Sequence, residues 1–556
     1  MFYRRHYARL VQAGLVLAVW FAACSRAAHD LWAASAVFAW TTALACAFCA
    51  GRAIDEKPVK LPLAAPAALF LLAVSLSFAG SYDRNSTLLE TWIWAFSFLL
   101  ALLFVNVVET EREVEGMLTA CSAGLLPLAA EMASKTALGS ELRKALVVPN
   151  FWAQLAVVGF LLAVFYGALF YFIRVIERKD PARTLAALAA FAGAHAALLL
   201  FTQRIMLTET ATPLINHNVL VGFTLYWFFI LWKRTLEKTA WLPLFLPCCF
   251  LLIVERSWWS YVVLLAGFLV YYREHFAERI RRHRAVFTAV GAAAGAILAL
   301  LVAVRASQHV SIALGISRAL WWASAWRMFL ARPLTGVGAG GFAAAYPFFK
   351  VGQVDNTLHG HSFPLQLLAE TGLAGFGAAV WLVLRWRRLA APRRAGDAGR
   401  AALAALAAVL GFAAIHISLE YFLNKFVLLF FLAALLVGRE VPSRKVRPLY
   451  LGCACACLVL LTPFWLNLYV SSRMFMAGRS LQETGNRDGA EKLYRDALAI
   501  DPTDADCAWA LSAIEMEKFK ETGSPEARLA ALDDLRAGLR QRKDFLLIKR
   551  LTNGAP

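Results

Sequence analysis

Long apolar blocks dominate the chain, and short polar segments separate them. A helix needs about 20 apolar residues to cross the hydrocarbon core of a bilayer. Fifteen segments are close to this length, namely 8–25, 31–50, 62–80, 92–108, 117–131, 151–173, 185–201, 218–232, 240–254, 257–272, 285–304, 371–384, 401–418, 425–438 and 448–470. The pattern therefore predicts an all-α polytopic membrane protein with about 13–15 transmembrane helices.

The composition supports this class and argues against a nucleic-acid partner. Hydrophobic residues make up 60% of the chain, against roughly 45–50% in soluble proteins. The net charge of +19 comes from basic residues that flank apolar segments, as expected for contact with membrane lipids. The ten cysteines suggest no disulfide framework, and we interpret them as small buried packing residues of the apolar segments.

Lysine and arginine are enriched in alternate connecting segments, beginning with the N-terminal "MFYRRHYAR". Such segments face the cytoplasm. This orientation places a large loop, residues 305–370, on the opposite side of the membrane. It contains the aromatic-rich "RALWWASAWRMFLARPLTGVGAGGF", for which we predict an amphipathic helix. Trp321, Trp322 and Trp326 are most simply interpreted as an interfacial belt.

The C-terminal segment, residues 471–556, has a different composition from the predicted membrane domain, residues 1–470. It is polar, and its "AGRSLQETGNRDGAEKLYRDALAIDP" fits the tetratricopeptide pattern. The matching positions are Gly478, Ala490, Tyr494, Ala497 and Pro502. We predict a small helical tetratricopeptide-like domain on the outer side, which packs on the membrane domain or on a protein partner.

Four polar clusters interrupt the apolar pattern, and the predicted topology places all four on the outer side. Each has a simple structural interpretation: a lone arginine snorkels at a membrane edge, and "GVGAGGF" is a flexible turn. Together they gather cations, a histidine pair and aromatic rings on one side of one membrane. The clusters are "TQRIMLTETATPLINHNVLVGF" with Arg204, Asn216 and Asn218; "VERSWWSY" with Arg256; the aromatic-rich stretch with Arg318; and "DNTLHGHSFPLQLLAETGLAG" with His359, His361 and Glu370.

A metal site is poorly supported by these residues. His359 and His361 have no evident third and fourth ligand in their loop. The D-x-D pair Asp504 and Asp506 lies in the tail, where a helix cap is the simpler interpretation. We therefore predict no metal and no cofactor.

Arginine and histidine together suit one reaction class. Guanidinium groups bind phosphate oxygens through charge-assisted hydrogen bonds, and histidine accepts a proton near neutral pH. The pair fits attack by a hydroxyl on an anomeric carbon whose leaving group is a lipid diphosphate. The donor is already activated, so no nucleotide site is needed.

Five motifs in order resemble the superfamily of O-antigen ligases, O-antigen polymerases and bacterial O-oligosaccharyltransferases. The resemblance covers roughly residues 214–440. It rests on "INHNVLVGFTLYWFFI", "VERSWWSYVVLLAGF", "RALWWASAWRMFLARPLTGVGAGGF", "HGHSFPLQLLAETGLAG" and "HISLEYFLNKFVLLFF". Two departures are that Ser362 replaces the usual asparagine after the histidine, and that Glu255 and Ser257 replace the serine and glycine around Arg256.

The resemblance implies specific roles for the motif residues. It makes His361 the catalytic histidine and groups Glu370 with it as a catalytic residue that would support the junction between loop and helix. Arg256, Arg204 and Arg318 would contact the lipid diphosphate. Supporting positions are His359, Asn216, Asn218, Gly336 and Gly338.

The resemblance also implies a donor, a location and a choice of acceptors. The donor would be an undecaprenyl-diphosphate-type glycan, and the enzyme would lie in the bacterial inner membrane with its site and tail facing the periplasm. Lipid A core, a growing polysaccharide and a protein hydroxyl are the alternative acceptors, corresponding to ligase, polymerase and protein glycosyltransferase. Outside this class, a transporter or a membrane scaffold stays open; a transporter would place polar residues near mid-span.

Overall fold

The computed structural model describes residues 2–28, 31–135, 216–255, 257–274, 310–352, 356–390 and 396–543. Within these residues, six helices are long and apolar enough to cross a membrane. They are Tyr7–Cys24, Ala33–Asp55, Arg84–Val107, His217–Glu237, Phe363–Ala390 and Pro448–Glu483. Four shorter apolar helices accompany them, Ala64–Gly80, Thr239–Ile253, Trp259–Tyr271 and Phe422–Ala434. The prediction of an all-α polytopic membrane protein is confirmed.

The helices of the described chain fall into three sequence groups. The first comprises α1 (Phe2–Cys24), α2 (Leu31–Asp55), α3 (Ala64–Leu76), α4 (Arg84–Val107), α5 (Glu111–Ser122) and α6 (Leu125–Lys135). The second comprises α7 (His217–Glu237), α8 (Leu242–Val254), α9 (Trp258–Tyr271), α10 (Val310–Ala331), α11 (Phe342–Phe349), α12 (Phe363–Ala390), α13 (Asp397–Ala413) and α14 (Phe422–Ala434). The third comprises α15 (Pro448–Leu460), α16 (Thr462–Glu483), α17 (Arg487–Ile500), α18 (Ala505–Thr522) and α19 (Pro525–Gln541).

Two short strands join distant parts of the chain. The strands β1 (Val59–Lys60) and β2 (Ser443–Arg444) pair antiparallel, with Val59 opposite Arg444. The pair ties the segment between α2 and α3 to the segment between α14 and α15.

Helix α7 lies at the centre of the membrane domain and packs against α8, α13 and α14. Its aromatic side chains Trp227, Phe229 and Trp232 are buried. Near the C-terminal end of α7, Lys233 Nζ lies 2.6 Å from Glu115 of α5 and 2.7 Å from Glu237. An apolar body with a paired charge at one end is what a buried membrane helix requires.

Four of the predicted spans do not appear as single helices in the described chain. The predicted spans 151–173, 185–201 and 285–304 lie outside the described residues. The predicted span 117–131 is divided between α5 and α6, because the backbone turns at Gly124, whose N–H donates to Cys121 O at 3.1 Å.

The tail begins inside a helix. Helix α16 runs without interruption from Thr462 to Glu483, so the predicted boundary at 471 falls within it. Beyond it, the small residues of the predicted repeat bring α16 and α17 together: a Cβ added to Gly478 would lie 2.7 Å from Tyr494 Cε1, and Ala490 and Ala497 are buried. Pro502 follows the end of α17. The tetratricopeptide assignment itself stays a prediction.

The helix-cap interpretation of the D-x-D pair is confirmed. The Asp504 carboxylate caps α18 and accepts hydrogen bonds from the N–H groups of Asp506 and Cys507, each at 3.0 Å. The predicted burial of the cysteines is confirmed only in part. Cys24, Cys453 and Cys457 are exposed on outward faces of α1 and α15, where apolar sequence faces the surroundings of the helix bundle rather than its core.

Candidate active site

His361 lies in the loop between α11 and α12, in an unusual backbone conformation. Its φ angle is +51°, in the left-handed region, which costs a non-glycine residue about 1–2 kcal/mol. Its imidazole stacks on the indole of Trp321 from α10, with ring centroids 4.6 Å apart and planes 22° apart. The Trp321 ring therefore fixes the orientation of the histidine, which the interpretation as an interfacial belt did not predict.

A hydrogen-bonded chain anchors the histidine loop to α12. The N–H of Gly360 donates to Gln366 Oε1 at 2.8 Å, and Gln366 Nε2 donates to Glu370 Oε1 at 3.0 Å. Gln366 and Glu370 are four residues apart, so they share one face of the helix. Both side chains are buried. The backbone position of the residue before His361 is thus set by two side chains of the following helix.

Glu370 also holds the glycine-rich loop between α10 and α11. Its carboxylate accepts hydrogen bonds from the N–H groups of Gly340 at 2.9 Å and Phe342 at 3.3 Å. Its main-chain oxygen accepts from Gly338 N at 3.0 Å. With Gln366 as a further donor, the carboxylate accepts three hydrogen bonds, which favours the supporting role of Glu370 over acid–base catalysis.

The predicted supporting glycines are needed for this contact. Gly336 and Gly338 have φ angles of +69° and +100°, which side-chain-bearing residues rarely adopt. A Cβ at Gly336 would lie 2.3 Å from Glu370 O, and one at Gly338 would lie 2.6 Å from Ser81 Oγ. "GVGAGGF" is therefore a tightly bonded loop rather than a flexible turn.

The imidazole of His361 is kept neutral by its surroundings. Burial, the charge of Arg318 and that of His217 lower its pKa to about 4. Burial also lowers the pKa of Arg318, although a guanidinium stays charged at neutral pH. Nδ1 of His361 is buried without a hydrogen-bond partner in the described chain. At neutral pH the low pKa favours an unprotonated imidazole beside the half-buried cation Arg318.

The start of α7 supplies the asparagine pair of the first cluster. Asn216 caps the helix, and its side chain accepts from Asn218 N at 2.8 Å. The Asn218 side chain is buried. His217, between them, is close enough to His361 to influence its pKa. The structure thus brings the first, third and fourth polar clusters together.

Two predicted arginines, Arg204 and Arg256, lie outside the described residues. The departure at Glu255 can nevertheless be assessed. Burial raises the pKa of Glu255 to about 8, so burial weakens the negative charge that this carboxyl carries near neutral pH.

Sequence reasoning missed His416, which follows α13. Its ring stacks on Phe412, with centroids 4.4 Å apart, and neither ring nitrogen has a hydrogen-bond partner in the described chain. It interacts electrostatically with Arg318 and His361. His416 lies in an apolar stretch near the end of the predicted span 401–418. The sequence therefore offered only one indication of a functional role, namely a histidine at the end of a membrane span.

A buried ion pair beneath the glycine loop was also missed. Lys425 Nζ of α14 lies 2.5 Å from Glu90 Oε2 of α4, and the side chains are 2% and 16% exposed. Lys425 also sits 5.4 Å from the centroid of the Trp94 ring. A Cβ at Gly340 would lie 2.8 Å from Glu90 Cγ, so the pair directly supports the loop that Glu370 holds.

The comparison with protein families decides the class. Residues 242–380 match the family model described as O-antigen ligase. Residues 242–380 thus carry an O-antigen ligase domain, which supports the resemblance to that superfamily. The comparison with curated proteins gives no match.

The O-antigen ligase domain contains much of the described site, from α8 to the middle of α12, including Arg318, His361 and Glu370. It makes the chain a multi-pass membrane enzyme of the glycosyltransferase kind, which acts with lipid-linked glycans. Among the described residues, no group of three or more His, Cys, Asp or Glu side chains is placed to hold a metal ion.

Proposed function

We propose that this protein transfers a glycan from a polyisoprenyl diphosphate donor to an acceptor hydroxyl, as an O-antigen ligase, with His361 as general base. The observation that carries the proposal is the half-buried His361 imidazole, which stacks on Trp321 with ring centroids 4.6 Å apart and is influenced by the cation Arg318. A base must be unprotonated to accept a proton, and a diphosphate leaving group needs a nearby cation.

The reaction can be written with these groups in defined roles. The acceptor oxygen forms a bond to the anomeric carbon of the donor glycan while the bond from that carbon to the diphosphate oxygen breaks. The hydroxyl proton passes to His361. Arg318, with Arg204 and Arg256 as the resemblance assigns them, binds the diphosphate and stabilises its developing charge. No metal and no nucleotide takes part.

The low pKa of His361 fits the order of events. A histidine with a pKa of about 4 is a weak base at pH 7. A bound diphosphate would offset the charge of Arg318 and raise the pKa of the imidazole toward neutral pH. The histidine would thus become an effective base only when the donor is in place.

We propose further that the site and the tail face the periplasm of a bacterial inner membrane. The distribution of lysine and arginine between the predicted loops supports this orientation. The helical tail, with its tetratricopeptide-like repeat, would bind a protein partner or a macromolecular acceptor. Cysteine labelling at positions 350 and 520 from outside intact spheroplasts tests it; a cytoplasmic position 350 would contradict the orientation.

The proposed activity is tested with purified full-length protein and an undecaprenyl-diphosphate glycan in liposomes. Parallel reactions contain lipid A core, free polysaccharide or a serine-containing peptide as acceptor, all with EDTA and without nucleotide. We expect transfer to lipid A core. Transfer to polysaccharide alone would identify a polymerase, and transfer to peptide alone a protein glycosyltransferase. Loss of transfer in EDTA that one divalent ion restores would contradict the metal-free mechanism.

A further inference from the structure

The tail returns to the membrane domain next to the glycine-rich loop. The backbone N–H of Lys543 donates to Tyr82 O at 2.8 Å, and Arg542 forms a β-bridge with Asp83. The N–H of Tyr82 in turn donates to Val337 O at 3.0 Å. The segment between α3 and α4 is therefore held by the tail on one side and by the glycine-rich loop on the other.

Three cations meet at this junction, and two of them share one aromatic ring. Lys543 Nζ lies 4.5 Å from the centroid of the Tyr82 ring, and the Arg332 guanidinium lies 5.7 Å from it. Both distances fall within the range of a cation–π contact, about 6 Å. Arg84, two residues after Tyr82, places its guanidinium 5.8 Å from the Phe78 ring.

The three cations at the junction are not held in ion pairs with other described residues. None of the three cations has a carboxylate within 4 Å among the described residues. The neighbouring Asp83 carboxylate accepts instead from Ser86 N at 3.0 Å and Ser86 Oγ at 2.9 Å. Burial and the charges of Arg332 and Arg84 lower the pKa of Lys543. Like charges held this close repel one another, and a bound anion would relieve that repulsion.

We propose that Arg84, Arg332 and Lys543 form a binding site for a phosphate ester at the junction of the tail and the membrane domain. Two guanidinium groups and one ammonium offer forked and single donors that match phosphate oxygens. The site contains neither His361 nor any residue assigned to the diphosphate donor. Its ligand would be a phosphate ester, supplied by a lipid headgroup in the bilayer or by a soluble phosphate compound.

The proposed phosphate site lies between the glycine-rich loop and the tail. A Cβ at Gly80 would lie 3.0 Å from Arg332 Nη1 and 2.6 Å from Gly336 O. Arg332 therefore packs beside the loop that Glu370 holds, whereas Lys543 belongs to the tail. A phosphate that bridges the two cations would fix the tail on the membrane domain beside that loop.

The proposal is tested by direct binding, without any transfer reaction. Full-length protein in neutral detergent is titrated with dioleoyl phosphatidic acid, with dioleoylglycerol as the uncharged counterpart, and separately with inorganic phosphate at constant ionic strength. The test variant is R332Q/K543Q. The matched control is K492Q, which removes one exposed lysine of the tail.

We expect saturable binding of phosphatidic acid but not of dioleoylglycerol, at least about tenfold weaker in R332Q/K543Q and unchanged in K492Q. Binding of inorganic phosphate as well would show that the phosphate group alone suffices, and its absence would identify a lipid headgroup as the ligand. If the double variant does not fold, two single changes test the same site. The Arg84 side chain is exposed, and R84Q should weaken binding about threefold. R332K should weaken binding less than R332Q does, because lysine keeps the positive charge. Equal affinity in folded R332Q/K543Q, or no saturable binding to the unmodified protein, would overturn the proposal.

Discussion

Replacing Gln366 by leucine should misplace His361 without removing any group that we assign to the chemistry. Gln366 makes two buried hydrogen bonds, from Gly360 N at 2.8 Å and to Glu370 Oε1 at 3.0 Å. A neutral hydrogen bond contributes about 0.5–1.5 kcal/mol, and one to a charged group about 1.5–3 kcal/mol. The two bonds thus exceed the cost of about 1–2 kcal/mol for the left-handed conformation at His361.

Without this anchor, the loop should relax to ordinary backbone angles most of the time. Each 1.4 kcal/mol is a factor of ten in population, so we expect kcat/KM for glycan transfer to fall about 10–100-fold in Q366L, with donor binding largely retained. The assay is transfer in liposomes together with donor binding in detergent. T371V is the matched control. It removes a buried hydrogen bond of the same helix, from Thr371 Oγ1 to Leu367 O at 2.6 Å, and this bond does not hold the loop that contains His361.

Q366E separates positioning from mere stability. A glutamate can accept from Gly360 N, but it can donate to Glu370 only when protonated. Two adjacent carboxyl groups share one proton at low pH and repel each other once both ionise. The activity of Q366E relative to the unmodified protein should therefore be highest at acid pH and fall as the pH rises. Two results would refute the positioning role of Gln366. One is a folded Q366L with full kcat/KM, and the other is an activity of Q366E, relative to the unmodified protein, that does not change with pH.

Three further changes follow from the same contacts. In Gly336→Ala, the alanine would have to adopt φ +69°, and its Cβ would lie 2.3 Å from Glu370 O. We therefore expect the free energy of unfolding to fall by at least about 2 kcal/mol, seen as a lower Tm. Lys425→Met leaves the buried Glu90 charge unpaired and should cost about 3–5 kcal/mol, which a second change, Glu90→Gln, should partly restore in unfolding experiments. Arg318→Gln removes a cause of the low pKa of His361, so the acid limb of kcat/KM, near pH 4 in the unmodified enzyme, should move to higher pH.

The sign of the pH effect on stability follows from the same histidine. Its pKa is about 6.5 in an unfolded chain and about 4 in the folded protein, so the unfolded state binds the proton more readily. The contribution of His361 to stability is therefore full above pH 6.5 and is lost as the pH falls toward 4.

An acid limb of kcat/KM that stays in place in Arg318→Gln would contradict the electrostatic account. Gly377→Ala, at a helical glycine with nothing within 4 Å of the added Cβ, is the control for Gly336→Ala.

The sequence predicted what depends on composition and short-range spacing. Apolar length alone identified long helices such as α2, α4 and α7, because a bilayer-spanning helix needs little besides hydrophobicity. His361 and Glu370 were predicted as one site because they lie within one short motif. The capping role of Asp504 followed equally from its position before a helix.

Features that depend on tertiary packing could not be predicted. Glu90 and Lys425 are 335 residues apart, and each alone looks like a charge near a membrane edge. Trp321 fitted an interfacial belt until its stacking on His361 was known. The left-handed angle at His361 arises from its contacts with α10 and α12, because the residue itself favours right-handed conformations.

The central claim is that His361 is the general base of a glycan transferase, and its most direct test separates chemistry from donor binding. Transfer and donor affinity are measured for His361→Ala and for His359→Ala, the neighbouring histidine that serves as the matched control. Loss of a general base typically lowers the rate by about 10²–10⁴. We predict that His361→Ala loses transfer to this extent and still binds the lipid diphosphate glycan, whereas His359→Ala is the milder change. Full transfer by folded His361→Ala would contradict the account.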